Sequence, residues 1–273
     1  MGIFLRRGII IPPNHPLFGF LYGDLRIMAT PGRRLVESKT SSIPTDLSKS
    51  KIDIYASTDN GKTWKYVSNV AIGGVAIPNN GLTQIWEPFL MYNPRNRKLV
   101  CYYSDQRANT THGQNLVHQS TADLKKWGPI IDDVAYPIST DRPGMPTTAK
   151  LPNGDYIYAY KYGGGPGFST YQFPVYYRLS KGPEAFSPTP GIQLNTPDGV
   201  VQNGSPYVVW TPYGIRETWD AMVSHCNPRD KELYQKSDGS GGKWILIAGA
   251  GKLPPSTNND VTISVIDLAQ YKT

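Results

Sequence analysis

One eight-residue segment and its echoes constrain the chain more than any other feature. Ser57-Thr-Asp59-Asn-Gly61-Lys-Thr63-Trp64 is a full Asp box, Ser-x-Asp-x-Gly-x-Thr-Trp, between the strand-like Ile52-Asp-Ile-Tyr-Ala56 and Lys65-Tyr-Val67. Its chemistry suits a hairpin tip. The aspartate caps backbone N–H groups, the glycine supplies positive φ, and the tryptophan packs back under the loop. Ser120-Thr-Ala-Asp123-Leu-Lys-Lys-Trp127 and Ser237-Asp-Gly-Ser-Gly-Gly-Lys-Trp244 keep parts of the pattern, and Ser180 to Phe186 keeps only its ends. The aromatic positions step by 63, 59 and 58 residues. A near-constant step of this size matches one four-stranded propeller blade with a long connection. It predicts blade boundaries near Trp64, Trp127, Phe186 and Trp244.

Composition supports the same class. The chain has 27 glycines, 24 prolines and 18 tyrosines in 273 residues, and no helical periodicity longer than two turns. Many short strands joined by tight turns are expected, an all-β fold built of four-stranded antiparallel blades. Lys98–Ser104, Tyr156–Tyr162, Val175–Leu179, Pro206–Trp210, Trp244–Ala248 and Val261–Ile266 read as strands, with an Asn153-Gly154 hairpin turn before the second. Dividing 273 residues by a step of about 60 gives four to five blades. Residues 1–20 match no blade strand and read as an atypical N-terminal segment before a single domain over 21–273.

Other classes are poorly supported. The net charge of +7 is concentrated at Arg6, Arg7, Arg26, Arg33 and Arg34, without the dense run of a nucleic-acid site. No stretch approaches the roughly 18 apolar residues of a membrane span. The first thirteen residues lack signal-peptide order, because Arg6 and Arg7 follow the first apolar residues and Pro12-Pro13 ends the second run. Asn60-Gly-Lys-Thr63 lacks the first glycine of a phosphate-binding loop, and Gly163 to Gly167 opens no helix. Four scattered histidines, His112 and His118 among them, show no metal-ligand spacing, so neither metal nor other cofactor is expected. Cys101 and Cys226 form no disulfide framework.

Chemistry-bearing residues concentrate between 84 and 178, in segments that otherwise read as strand ends: Trp86-Glu87-Pro88, Ser104-Asp105-Gln106-Arg107, His118-Gln119, Asp141-Arg142-Pro-Gly-Met145 and Tyr160-Lys161-Tyr162. In a propeller, the innermost strands and their loops line a central cavity. Rings there stack on sugar faces while charged groups bind hydroxyls or move protons. Glu87 is the candidate catalytic carboxylate. Trp86, Asp105, Arg107, Arg142, Tyr160, Tyr162 and Tyr177 are the candidate substrate contacts.

The segments Ile52–Trp64, Gly74–Leu90 ending in Trp-Glu-Pro-Phe-Leu, Tyr102-Tyr-Ser-Asp-Gln-Arg107, Gly113–Gln119, Arg142-Pro-Gly-Met145 and Ser205–Trp210 resemble, in order and spacing, the exo-α-L-arabinanases of glycoside hydrolase family 93. The resemblance implies a secreted six-bladed propeller that releases arabinobiose from linear α-1,5-arabinan with retention, using two glutamates on the central cavity. It implies an arabinan or arabino-oligosaccharide partner. One glutamate maps onto Glu87. The other belongs in a Tyr-Glu-Tyr/Phe triplet, where this chain has Tyr160-Lys161-Tyr162. A family tyrosine near the C-terminus has no counterpart in Pro254–Asp260, and the chain begins where the first blade is expected to have ended.

A retaining glycosidase needs two carboxyls about 5–5.5 Å apart. Lys161 cannot act as one, and beside Glu87 it would hold that group ionised. Two readings follow. In one, the chain is a working exo-arabinanase in which Asp105 or Asp141 replaces the lost carboxylate. In the other, it is a non-catalytic glycan-binding propeller or a decayed paralogue.

Overall fold

A computed structural model describes backbone and side chains for residues 48–208, apart from 60–61, 78, 165–166, 168, 188–190, 196–198, 200 and 202–205, and outside that span only the backbone of strands. β1 (Phe4–Leu5) pairs with β2 (Ile9–Ile10) within the segment set apart above. The first complete blade comprises β3 (Leu25–Thr30), β4 (Arg34–Ile43), β5 (Asp46–Ser57) and β6 (Lys65–Gly73). The second comprises β7 (Ile85–Asn93), β8 (Lys98–Asp105), β9 (Asn115–Thr121) and β10 (Ile131–Val134). The third comprises β11 (Arg142–Lys150), β12 (Tyr156–Gly163), β13 (Val175–Ser180) and β14 (Ile192–Gln193). Each is an antiparallel meander, paired in chain order.

Further blades are represented by the pair β15 (Tyr207–Trp210) with β16 (Ala221–Ser224), and by the three-stranded β17 (Lys231–Gln235), β18 (Trp244–Gly249) and β19 (Thr262–Asp267). The first strands β3, β7, β11 and β15 neighbour one another from blade to blade. This is a β-propeller.

The repeat turns sit inside blades, not at their boundaries. Residues 58–64, 122–130 and 181–191 connect third to fourth strands, and the blade-to-blade passages follow at 74–84, 135–141 and 194–206. The reason is local. Ser57 Oγ donates to Asp59 Oδ1 at 2.7 Å, and Thr63 donates to the two Asp59 oxygens from its N–H (2.9 Å) and its hydroxyl (2.6 Å). Such a clamp closes a hairpin between antiparallel neighbours. In the next copy, the N–H groups of Lys125 and Lys126 both donate to Asp123 Oδ1 at 2.8 Å. The turn also reaches backward: Trp127 Nε1 donates to Ser68 Oγ (3.1 Å), and Ser68 donates to the Leu124 carbonyl (2.6 Å). The copy at 237–243 lies outside the described residues.

Cores form between blades. One joins Ile52, Ile54 and Val70 to Leu90, Leu99, Cys101 and Tyr103. The next joins Phe89, Val100, Tyr102 and Leu116 to Tyr156, Tyr158, Tyr160, Tyr162 and Phe186. A third places Ile157 and Ala159 against Val208. Side chains alternate across a strand, so the four even-numbered tyrosines of β12 share the face toward the second blade. Tyr102 and Tyr158 meet edge to face at 5.5 Å, an arrangement worth about 0.5–1.5 kcal/mol beyond burial.

Candidate active site

Two equivalent irregularities, one blade apart, build the site. In β7 the pairing register shifts between Trp86 and Phe89, and in β11 between Gly144 and Thr147. Each bulge holds a non-glycine residue in the left-handed region, Glu87 at φ 58° and Met145 at φ 56°. Each is followed by a proline, Pro88 and Pro146. A bulge re-aims side chains and backbone groups, and non-glycine residues at positive φ mark stored strain. Here the two bulges face each other: the N–H of Met145 donates to Glu87 Oε2 at 2.7 Å.

Two side chains complete the cradle. Ser104 Oγ, from the strand beside Trp86, donates to Glu87 Oε2 at 2.6 Å, and Lys161 Nζ donates to Oε1 at 3.3 Å. Lys161 is the cross-strand partner of Gly144. A Cβ on Gly144 would lie 2.7 Å from Lys161 Cε, 2.9 Å from Glu87 Oε2 and 3.1 Å from Gln114 Nε2. Only glycine leaves room for the lysine to reach across its own blade. Burial alone would push the Glu87 carboxyl up. The Lys161 charge and the hydrogen bonds from Ser104, Met145 and Lys161 outweigh it, so the pKa falls below the usual carboxylate value.

Gln114 ties the rest together. Its Oε1 accepts from Trp86 Nε1 (3.1 Å) and from an Arg142 guanidinium nitrogen (3.3 Å), while its Nε2 donates to the Pro143 carbonyl (2.7 Å). Arg142 also donates to Gln106 Oε1 at 2.8 Å and Asn80 Oδ1 at 3.1 Å. Phe173 lies under the Lys161 ammonium, 5.4 Å from nitrogen to ring centroid, and packs edge to face with the exposed Tyr171. Among the described residues, no cluster of three or more His, Cys, Asp or Glu side chains could hold a metal.

Of the candidate residues, Glu87, Lys161, Trp86 and Arg142 come together and the other five do not. Asp105 projects from the opposite face of β8 to Ser104, and Arg107 follows just beyond the strand end. There Arg107 binds Asp105 through Nε and NH2 (2.6–3.1 Å) and lies over the Tyr103 ring. They open onto a separate cavity of about 360 Å³ with Thr111, His112 and Asp132. Tyr160 is fully buried, sharing a 2.7 Å hydroxyl contact with Tyr136. Tyr162 stacks on Tyr136 with ring centroids 4.2 Å apart and donates to Asp141 Oδ2 at 2.6 Å. Tyr177 packs against the third core. Alternation explains the first two, because residues flanking Lys161 point away from it; Tyr177 pairs with Ala159 and so shares the Lys161 face, but it sits one strand further out, against the third core.

Ser104, Gln114, Gly144 and Met145 carry no assignment from sequence. One signal was available for Met145. Pro88 and Pro146 are 58 residues apart, the blade step, which aligns Met145 with Glu87. Tyr171, Phe173 and Tyr136 give no such signal.

The chain is similar in structure to the alpha-L-arabinanase of Penicillium chrysogenum complexed with arabinobiose. The two are 41% identical, with 96% of this chain and 81% of that one covered and a TM-score of 0.84. It is similar also to the GH93 alpha-L-arabinofuranosidase of Fusarium graminearum, complexed with arabinobiose, at 44% identity, 91% and 77% coverage and a TM-score of 0.80. An N-acetylgalactosamine deacetylase from F. plautii, 13% identical over 84% of this chain and 79% of its own with a TM-score of 0.56, shares the fold alone. No protein-family model and no curated protein matches the chain. The chain belongs to glycoside hydrolase family 93.

Proposed function

We propose that this family 93 chain binds arabinan or arabino-oligosaccharides at the Glu87 site, and that hydrolysis there is impaired. The observation that carries the reading is the 3.3 Å contact between Lys161 and Glu87, at the position where the family resemblance implies a second glutamate. A retaining mechanism divides its work between a carboxylate that attacks the anomeric carbon and a carboxylic acid that protonates the leaving oxygen. An ionised Glu87 is fit to attack or to accept a proton. It is unfit to donate one, and Lys161 supplies no carboxyl for either role.

Two placements support impairment. Asp105 is clamped by Arg107 on the far face of β8, and Asp141 accepts the Tyr162 hydroxyl on the face of β12 away from Lys161. Neither stands in for the missing group as placed. Binding does not need that group. Trp86, Tyr171 and Phe173 offer ring faces, and Arg142 and Gln114 offer polar atoms for sugar hydroxyls. Calorimetric titration of arabinobiose into wild type and Trp86→Ala tests the reading. It predicts binding that weakens in the variant; no heat of binding with wild type contradicts it. The Ser57–Trp64 turn and its copies belong to the same reading, as Asp boxes, of which the one ending at Trp127 fastens the second blade to the first.

A further inference from the structure

The cations around Glu87 outnumber the carboxylates. Lys161 and Glu87 offset each other, which leaves Arg142 without a counter-charge. Its guanidinium donates to Asn80, Gln106 and Gln114, all neutral amides. Among the described residues, no carboxylate lies within ion-pair distance of it. Asp141, its chain neighbour, accepts the Tyr162 hydroxyl, and Glu87 accepts from Ser104, Met145 and Lys161. Burial depresses the Arg142 pKa more than the fields of Tyr171 and Glu87 restore it, the condition of a guanidinium that would gain from an incoming anion.

Lys161 adds a second donor. Only one of its three N–H groups is committed, to Glu87, and its side chain keeps 19% of its exposure. Gln114 bridges the two cations, bonding Arg142 through Oε1 and standing with its Nε2 beside the same open Gly144 position as Lys161 Cε. A carboxylate accepts from the guanidinium hydrogens left over by Asn80, Gln106 and Gln114, and an ammonium is a point donor for the same group.

We propose that the site takes a carboxylate-bearing sugar, a uronic or aldonic acid, in preference to a neutral sugar of the same size. This rests on the reading that the site binds a glycan. It adds that a carboxylate on the bound sugar strengthens binding.

Calorimetry with two matched pairs tests it on the whole chain: arabinobionate against arabinobiose, and galacturonic acid against galactose. Wild type should bind at least one acid about tenfold tighter than its neutral partner, the gain expected from one charge-assisted hydrogen-bond pair. Added salt should shrink the preference. Arg142→Gln should abolish it while changing arabinobiose affinity less, and Lys161→Met should reduce it if Arg142→Gln fails to fold. Arabinobiose binding with no preference in either pair overturns the anionic class and leaves the glycan reading standing. No binding of any of the four sugars overturns both.

Discussion

The Lys161 ammonium lies 3.3 Å from Oε1 of Glu87, across a glycine whose absent side chain makes that approach possible. The two residues are 74 positions apart in sequence and sit on different blades. A carboxylate held by an ammonium, a hydroxyl and a backbone N–H is locked in its ionised form. At neutral pH the site therefore offers one ionised carboxylate where a retaining glycosidase requires a carboxylate and an acid.

That lock predicts the pH dependence of stability. The folded Glu87 pKa is lower than in the unfolded chain, so ionised Glu87 contributes stability above its unfolded value, near 4.5, which is lost as pH falls through the folded value. Urea denaturation of wild type and Glu87→Gln should show a gap at pH 7 that closes as pH drops below about 4. A gap that widens on acidification contradicts the direction of the shift.

Gly144→Ala tests the close approach. The added methyl meets Lys161 Cε, Glu87 Oε2 and Gln114 Nε2 at 2.7–3.1 Å. Lysine can swing away but Glu87 is held, so overpacking should cost about 1–3 kcal/mol, and arabinobiose affinity should fall. Unchanged thermal stability and unchanged affinity would show that the space is not used.

The strain at Met145 is separable from its N–H bond to Glu87. Met145→Gly keeps the donor and relieves a left-handed backbone that costs an L-residue roughly 1–2 kcal/mol, offset by the greater freedom of glycine in the unfolded chain. Its stability should match or exceed wild type, whereas Met145→Val should lose at least about 1 kcal/mol. Equal effects of glycine and valine in chemical denaturation contradict the assignment of strain.

Ser68→Ala probes the fastening of one blade to the next. Ser68 is buried, donates to the Leu124 carbonyl and accepts from the Trp127 indole. Losing both bonds leaves two groups short of partners, for a cost of about 1–3 kcal/mol. A difference within about 0.5 kcal/mol would show that the turn is not fastened there.

The fold was legible because a hairpin tip recurring at a fixed step has few architectures to belong to, and because tyrosines, glycines and prolines leave little room for helices. The position of each repeat within its blade was not. Asp59 and Thr63 close a turn between third and fourth strands, a detail that only the strand pairing supplies. Within the site, Trp86, Glu87, Lys161 and Arg142 could be gathered from motif segments. The tyrosines beside Lys161 neighbour it in sequence but not in space, because alternation sends Tyr160 and Tyr162 to the interblade core. The same alternation separates Asp105 from Ser104. Ser104, Gln114 and Met145 take their importance from long-range bonds that bulges create, and only the Pro88–Pro146 spacing hinted at one. Pro254–Asp260, where the family tyrosine has no counterpart, lies outside the described residues.

Hydrolysis of linear arabinan by wild type and Lys161→Glu, measured by reducing-sugar release on preparations that both bind arabinobiose, tests the central claim most directly. Wild type should turn over far below the ~1 per second usual for enzymes, since losing proton transfer alone removes about 10²–10⁴-fold. Lys161→Glu should gain activity by restoring a second carboxyl beside Glu87. Robust turnover by wild type, or a Lys161→Glu protein that binds arabinobiose and releases no more sugar than wild type, would contradict the account.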